Sequence, residues 1–538
     1  MPLELTETIL LSVEGFDVTI GCSALSPSSA LTSGSLPSAP SGIARERDDR
    51  PGVTPIVNFR TPRFIRDRRF RNRLDVRRLI RQILRNKLGN NNRPRRPPTP
   101  PPPTSPPPMF PPPPLPVDTR SCLVTRSSPS GGFRIDTSGG ANALALDNII
   151  FSDAVDVMSS TTDVVPLVES TPEALGSGSI VRVEACEFRD FVNGTFFIGS
   201  FSSDVPGDGS SVFDVRSSVF VNNMGVDLLL PNSTQCCGGA IDIDSPSNSA
   251  ISIVASEFSI NNATGDGGAV RIFSDVSVGN GPSSVLIEST LFRMNSGSAG
   301  GALLIEGGMV GIQNSIFTGN AATGEVPLRG GGAVFIKFSD DALVANSAFT
   351  NNTSTDVAGA ISLDDSGDVL ITNSSFTNNV AAGRSGGALN IFFTENPTNI
   401  ENSSFANNTA LTFGGAVNFF AGGGLNIRDS TFTGNTAPRT GGGVYALGSR
   451  NFTCVRSSFI ENFTGEVGGG LFTANVGPLN FTANAFVRNE AEEEGGGFFS
   501  TNSDFVTPSL FTNVSNVFID NTAPSFPNGF AEGFSNTS

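Results

Sequence analysis

Two tetrapeptides alternate along most of this 538-residue chain. Phe-x-x-Asn begins at Phe220, Phe258, Phe292, Phe317, Phe349, Phe376, Phe405, Phe432, Phe459, Phe486 and Phe518. Gly-Gly-Ala-apolar, or a close variant of it, begins at positions 238, 267, 300, 331, 358, 386, 414, 441, 468 and 495, with Ala358 standing in the first glycine position of its copy. The steps vary early and settle at 27 residues near the end, at Phe405, Phe432, Phe459 and Phe486. A fixed period of this size predicts a stacked array, because each unit must bury its apolar face against its neighbours.

The register within a unit says which kind of array. Five residues before each Phe sits an apolar residue: Val215, Ile253, Ile287, Ile312, Val344, Ile371, Ile400, Ile427, Cys454 or Phe481. Ser or Thr dominates two residues before the Phe. After the first glycine, positions +3 and +5 are mostly apolar, as in Ile241 and Ile243, Val334 and Ile336, or Leu389 and Ile391. Alternation by two marks a strand with one buried face, and no helical periodicity is sustained inside a unit. A leucine-rich repeat shares the apolar-x-x-Asn flavour but wants leucine ladders, so it fits less well. The expected fold is all-β: a right-handed parallel β-helix whose coils stack about 4.8 Å apart. Equivalent residues then form columns. Phe becomes a core stack, Asn (Asn223 through Asn521) an amide ladder, and the paired glycines a positive-φ corner.

Outside the repeat the composition shifts. Residues 1–61 read as a low-complexity segment with no usable period beyond the first twenty. Residues 62–89 place Phe70, Leu74, Val76, Leu79, Ile80, Ile83, Leu84 and Leu88 roughly at helical spacing with Arg on the other face, which predicts a basic amphipathic helix. Residues 90–120 are proline-rich and predict an extended linker, giving the body a disordered or helical Arg- and Pro-rich extension. The β-helix is expected over 121–525, with 121–209 as degenerate first coils and 210–525 as the regular repeats, followed by a tail at 526–538. Leu146–Phe151 and Val183–Phe188 resemble later strands but lack the matching Asn.

Charge and composition exclude several kinds of chemistry. The chain has no His, which removes Ser-His-Asp and Cys-His catalysis, imidazole metal sites and histidine pH switching. Residues 44–96 carry 18 Lys and Arg against 5 Asp and Glu, leaving 16 basic and 45 acidic residues elsewhere. An acidic body does not suit nucleic acid. The basic 62–89 segment suits an anionic surface or the acidic body itself. Six cysteines include no Cys-x-x-Cys pair, so no metal and no cofactor is expected. No apolar run is long enough for a spanning helix. The acidic N-terminus does not read as a signal peptide.

The alternating Gly-Gly-Ala-[Ile/Leu/Val] and Phe-x-x-Asn tetrapeptides resemble the repeats of polymorphic outer-membrane proteins, over about residues 210–525. That resemblance implies a parallel β-helix in an exported, extracellular or cell-surface setting with an adhesive role. This sequence departs from their pattern in its Arg/Pro segment, and it runs 17 residues past Asn521, a stretch in which their terminal membrane β-barrel is not expected.

Function should then sit on positions that vary between coils. If +3 and +5 after the glycine face inward, +4 and +6 face outward. These are Asp242, Asp244, Arg271, Glu306, Lys337 and Asp364 in early coils, and Asn390, Phe392, Asn418, Phe420, Tyr445, Phe472 and Phe499 in later ones. The charged set resembles what pectate-lyase-like enzymes use. The aromatic–Asn stripe suits sugar rings or a matrix or cell-surface protein. Against both, opposite charges on neighbouring strands pair with one another, and outward Phe can lie under a loop or helix. The expectation is a non-enzymatic adhesive or wall-interacting protein. The alternatives are a β-helix polysaccharide lyase or hydrolase and a purely structural spacer. Thirteen Asn-x-Ser/Thr sequons, among them Asn193, Asn232, Asn373, Asn402, Asn451, Asn480 and Asn513, are glycan acceptors only in a eukaryotic secreted chain.

Overall fold

The computed structural model describes residues 180–191, 196–198, 212–225, 238–245, 249–274, 283–324, 330–501, 509–532 and 534–536. It also describes the strands Leu3–Leu5, Thr8–Glu14, Asp17–Gly21, Cys122–Arg126, Gly132–Gly139, Ala143–Asp147, Ile149–Ser152 and Val168–Ser170. One compact unit comprises Met1–Leu25 and Phe110–Ser538. The other, Ser26–Met109, lies outside the described residues, and with it the basic helix expected at 62–89. The linker expected at 90–120 and the acceptors Asn193 and Asn232 also lie outside them.

One coil shows how the sequence builds the fold. Asp368–Thr372 is a strand of what we call the closing sheet, and Asn373 then turns the chain with φ 49°. Ser375–Thr377, carrying Phe376, lies in the Phe sheet, and Asn378 turns the chain again with φ 55°. The pair Val380–Ala381 forms a strand of a short sheet. Gly386 makes the next corner at φ 72°, and Leu389–Phe392 lies in the glycine sheet. Every pairing is parallel and joins the equivalent strand one coil on, as in Ser375↔Ser404 and Leu389↔Val417. Among the described residues the closing, Phe and glycine sheets each hold 15 strands and the short sheet 10. The chain is therefore an all-β parallel β-solenoid.

Three columns hold the coils together. The Phe rings stack from Phe188 to Phe518, with Phe376 and Phe405 4.8 Å apart and 2° from parallel. Beside them the Asn column uses its whole hydrogen-bonding capacity. Asn379 Nδ2 donates to the Phe349 carbonyl (3.0 Å) and to Asn408 Oδ1 (3.0 Å), and the Asn379 backbone N–H also donates to Asn408 Oδ1 (3.0 Å). An amide has two donor hydrogens and two acceptor lone pairs, so only Asn of this length fills the site on both faces. The Ser column is a second ladder: the Ser374 N–H donates to Ser403 Oγ (3.2 Å), while Ser374 Oγ donates to the Thr372 carbonyl (2.9 Å).

The glycine corner has two separate demands. Gly386 needs its positive φ, and a Cβ there would lie 2.2 Å from the Leu389 carbonyl oxygen. Gly387 is needed for close approach, since its Cβ would lie 2.0 Å from the carbonyl oxygen of Gly415 in the next coil. The columns also extend past the motifs. Phe151 registers with Phe188, and Phe188 with Phe220. Strands within 3–21 pair with those of 122–147, and Phe530–Glu532 and Phe534–Asn536 pair onto the preceding coil, within the stretch read from sequence as a tail. Parallel pairing needs backbone hydrogen bonds and alternation, not the tetrapeptides, so the motifs understate the length of the sheets.

Candidate functional site: the outer side of the glycine sheet

Strands of the glycine sheet carry four residues each in register, for example Leu389, Asn390, Ile391 and Phe392 opposite Val417, Asn418, Phe419 and Phe420. The first and third face the core. The second and fourth point away from it, as alternation requires. Their surroundings differ, because the chain doubles back at the glycine corner just before the strand. The Phe413, Thr440, Val467 and Glu494 positions that precede it bridge to one another coil by coil. This ridge runs beside the second position, and Phe413 stacks on Tyr445 at 4.8 Å.

The second column is thus mostly covered and falls into blocks of like chemistry. Asp242 and Arg271 make an ion pair of 2.5 Å, both largely buried. Leu304 and Phe335 pack with Ala299 in a small apolar cluster of their own. Asn390 is 0% and Asn418 4% exposed, and Asn418 Nδ2 donates to Asn390 Oδ1 at 2.7 Å. Tyr445, Phe472 and Phe499 stack in sequence at 5.1 and 6.0 Å, with Phe472 only 9% exposed. Burial pushes the Tyr445 phenol above its ordinary value. The expected outward stripe is therefore not one open face. Asn390, Asn418 and Phe472 are buried under the corner ridge, a covering that alternation alone does not reveal.

The fourth column is more open. Lys337 and Glu306 pair at 2.5 Å across adjacent coils, each partly buried. Asp364 is half-buried one coil further, and Phe392 and Phe420 are half-buried beyond it, 5.6 Å apart. Asp244 lies in the described strand Ile241–Ser245, opposite Phe273.

Sequence reasoning missed the next position, where each strand turns toward the closing sheet. Gly307, Phe338, Asp365, Phe393, Ala421, Gly448 and Asn475 all stand there with positive φ, between 49° and 80°. Gly, Asn and Asp tolerate this conformation, whereas a bulky side chain in it is an outlier. Yet Phe338 (φ 53°) and Phe393 (φ 51°) occupy it, and they are 46% and 50% exposed. Phe393 contacts Phe392 at 5.9 Å and meets Phe420 edge-on at 5.7 Å, and Lys337 Nζ lies 5.7 Å from the Phe338 ring centroid. The available signal was the pair Phe392-Phe393 and Phe338 directly after an apolar strand.

Acidic residues are frequent in this part of the chain. The turns that follow the strands contain Asp340 and Asp341, then Asp364, Asp365 and Asp368, then Glu395, while Lys337, in register with Asp364 and beside the Phe338 ring, is the cation among them. Burial, then the neighbouring Asp365 charge, push the Asp364 carboxyl above the usual carboxylate range against the opposing effect of Lys337. Burial, then Glu395, push Asp365 the same way.

Elsewhere the candidates resolve into structure. Among the described residues no three His, Cys, Asp or Glu side chains converge as metal ligands, and no helix is long and apolar enough to cross a membrane. Cys454 is buried in the core with its thiol pushed up to about 12 by burial, which makes it a packing residue. The sequons Asn373, Asn402 and Asn513 are exposed, and Asn451 and Asn480 are half-buried. Asn462 is buried with its amide donating to Phe432 and Asn489, so it cannot carry a glycan in this fold.

Residues 332–513 match the family model described as a right handed beta helix region. No curated protein and no solved structure matches the chain.

Proposed function

We propose that this β-helix repeat protein is a non-enzymatic surface or extracellular protein that adheres to a partner through the outer edge of its glycine sheet. The observation that carries the reading is the pair Phe338 and Phe393. Each is about half exposed and each is held in a backbone conformation unfavourable for Phe. Exposure and strain both oppose folding, and the contacts the rings make, with Phe392, Phe420 and Lys337, still leave each about half exposed. Phe393 clusters with Phe392 and Phe420, and Phe338 stands two coils away in the same column, on a scaffold fixed by the Asn, Ser and Phe columns. The resemblance of the repeat to polymorphic outer-membrane proteins supports an exported, adhesive setting.

The lyase alternative is less well supported by the charged residues, because Arg271 is ion-paired to Asp242 and Lys337 to Glu306 across adjacent coils, so both basic side chains are already engaged within the sheet. Attachment of the purified protein to immobilised matrix proteins and glycans, compared with Phe392→Ala plus Phe420→Ala, tests the reading. A loss of attachment with an unchanged β-sheet spectrum supports it. Equal attachment by both proteins, or saturable turnover of an acidic polysaccharide, removes it.

A further inference from the structure

We infer that the aromatic patch takes a basic polypeptide segment of a partner protein, whose Arg or Lys side chains lie between the Phe338 and Phe393 rings against the carboxylates there. The inference rests on the adhesive reading above and adds the chemistry of the partner. Phe338, Asp365 and Phe393 occupy one column in successive coils, aligned by the N–H bonds from Phe338 to the Asp364 carbonyl (2.9 Å) and from Asp365 to the Phe392 carbonyl (3.1 Å). The two rings are therefore two coils apart, about 10 Å, with the Asp364 and Asp365 carboxylates in the coil between. Asp340, Asp341, Asp368 and Glu395 extend the negative field over the neighbouring turns.

Ring faces and carboxylates attract the same ligand, a cation with an apolar stem. A guanidinium stacks on a phenyl face and donates two parallel N–H bonds to a carboxylate, and the methylenes of its side chain cover exposed ring. The patch runs over coils from Phe338 to Phe420, about 15 Å, which exceeds a single small cation and suits an extended peptide. An anionic glycan is repelled by this field, and a neutral one brings the partly desolvated carboxylates no cation beyond the single Lys337.

Binding of a fluorescein-labelled hexa-arginine peptide at physiological salt, read by anisotropy, tests the inference. Three variant pairs are compared: Asp364→Asn with Asp365→Asn, Phe338→Asn with Phe393→Asn, and the remote exposed pair Glu492→Gln with Glu493→Gln. The first should weaken binding about tenfold and the second several-fold, while the remote pair stays within about twofold of the parent. Equal weakening by the remote pair would mean diffuse attraction to an acidic protein and would overturn the inference. So would binding unaffected by the Asp pair, or no binding by the parent. If the Phe pair abolishes matrix attachment while the Asp pair changes neither assay, the basic-partner inference fails and the adhesive reading stands. If none of the variants changes attachment, both fail.

Discussion

The Phe column of the core and the Phe residues at the end of the glycine sheet use one side chain in opposite ways. Phe376 and Phe405 belong to a column repeated in every coil from Phe188 to Phe518, and they are fully buried, stacked in parallel and carried on ordinary strand. Phe338 and Phe393 occur in scattered coils, stand about half exposed, and replace the Gly, Asp or Asn suited to a positive-φ corner. The core column is explained by what it does for folding, and the edge residues are not. Recurrence in a solenoid therefore marks structure, and departure from recurrence marks the place to look for a partner.

The largest effect that can break this comparison is in the core. Phe405→Ala should cost about 3–5 kcal/mol, because it opens a gap in a continuous stack between Phe376 and Phe432. Denaturant titration of the purified variant checks it, and a loss below about 1 kcal/mol would mean the stack collapses around the gap. The edge predicts a smaller effect of distinct form. Asp364 and Asp365 bind protons more tightly folded than unfolded, so stability falls as pH rises from the ordinary carboxylate range through their raised values. Asp364→Asn plus Asp365→Asn should raise the melting temperature at pH 7, and the gain should vanish near about pH 3, where both carboxyls are protonated in either state. A gain that is the same at both pH values would assign it to packing instead of charge.

Much of the scaffold was legible in the sequence because stacking imposes a column on every coil. The Asn ladder, the Phe stack and the glycine corner each follow from one repeated residue and one hydrogen-bond or steric requirement. The outer side was less legible, and the reason is geometric. Alternation assigns Asn390 and Phe392 alike to the outer face, but it does not say that the chain before Gly386 folds back beside the first of them. Asn390 is consequently a buried ladder residue, while Phe392 remains half-exposed. Phe393 was hidden for a related reason. Its position depends on where the strand ends, and that end is fixed by a positive-φ turn that Gly, Asp, Ala, Asn and Phe all occupy in different coils. With no constant residue there, the column has no signature.

The most direct measurement of the central claim, that the columns hold the fold and the strained edge serves a partner, is the double variant Phe338→Asn plus Phe393→Asn. Asn fits the left-handed corner, where Phe costs about 1–2 kcal/mol per residue. After the loss of ring contacts among Phe392, Phe393 and Phe420, a net gain of about 1 kcal/mol in unfolding free energy is expected, together with reduced attachment to matrix. A variant that is more stable and less adhesive is the result this account predicts. A variant that is less stable and equally adhesive would show that these rings serve the fold, and would contradict it.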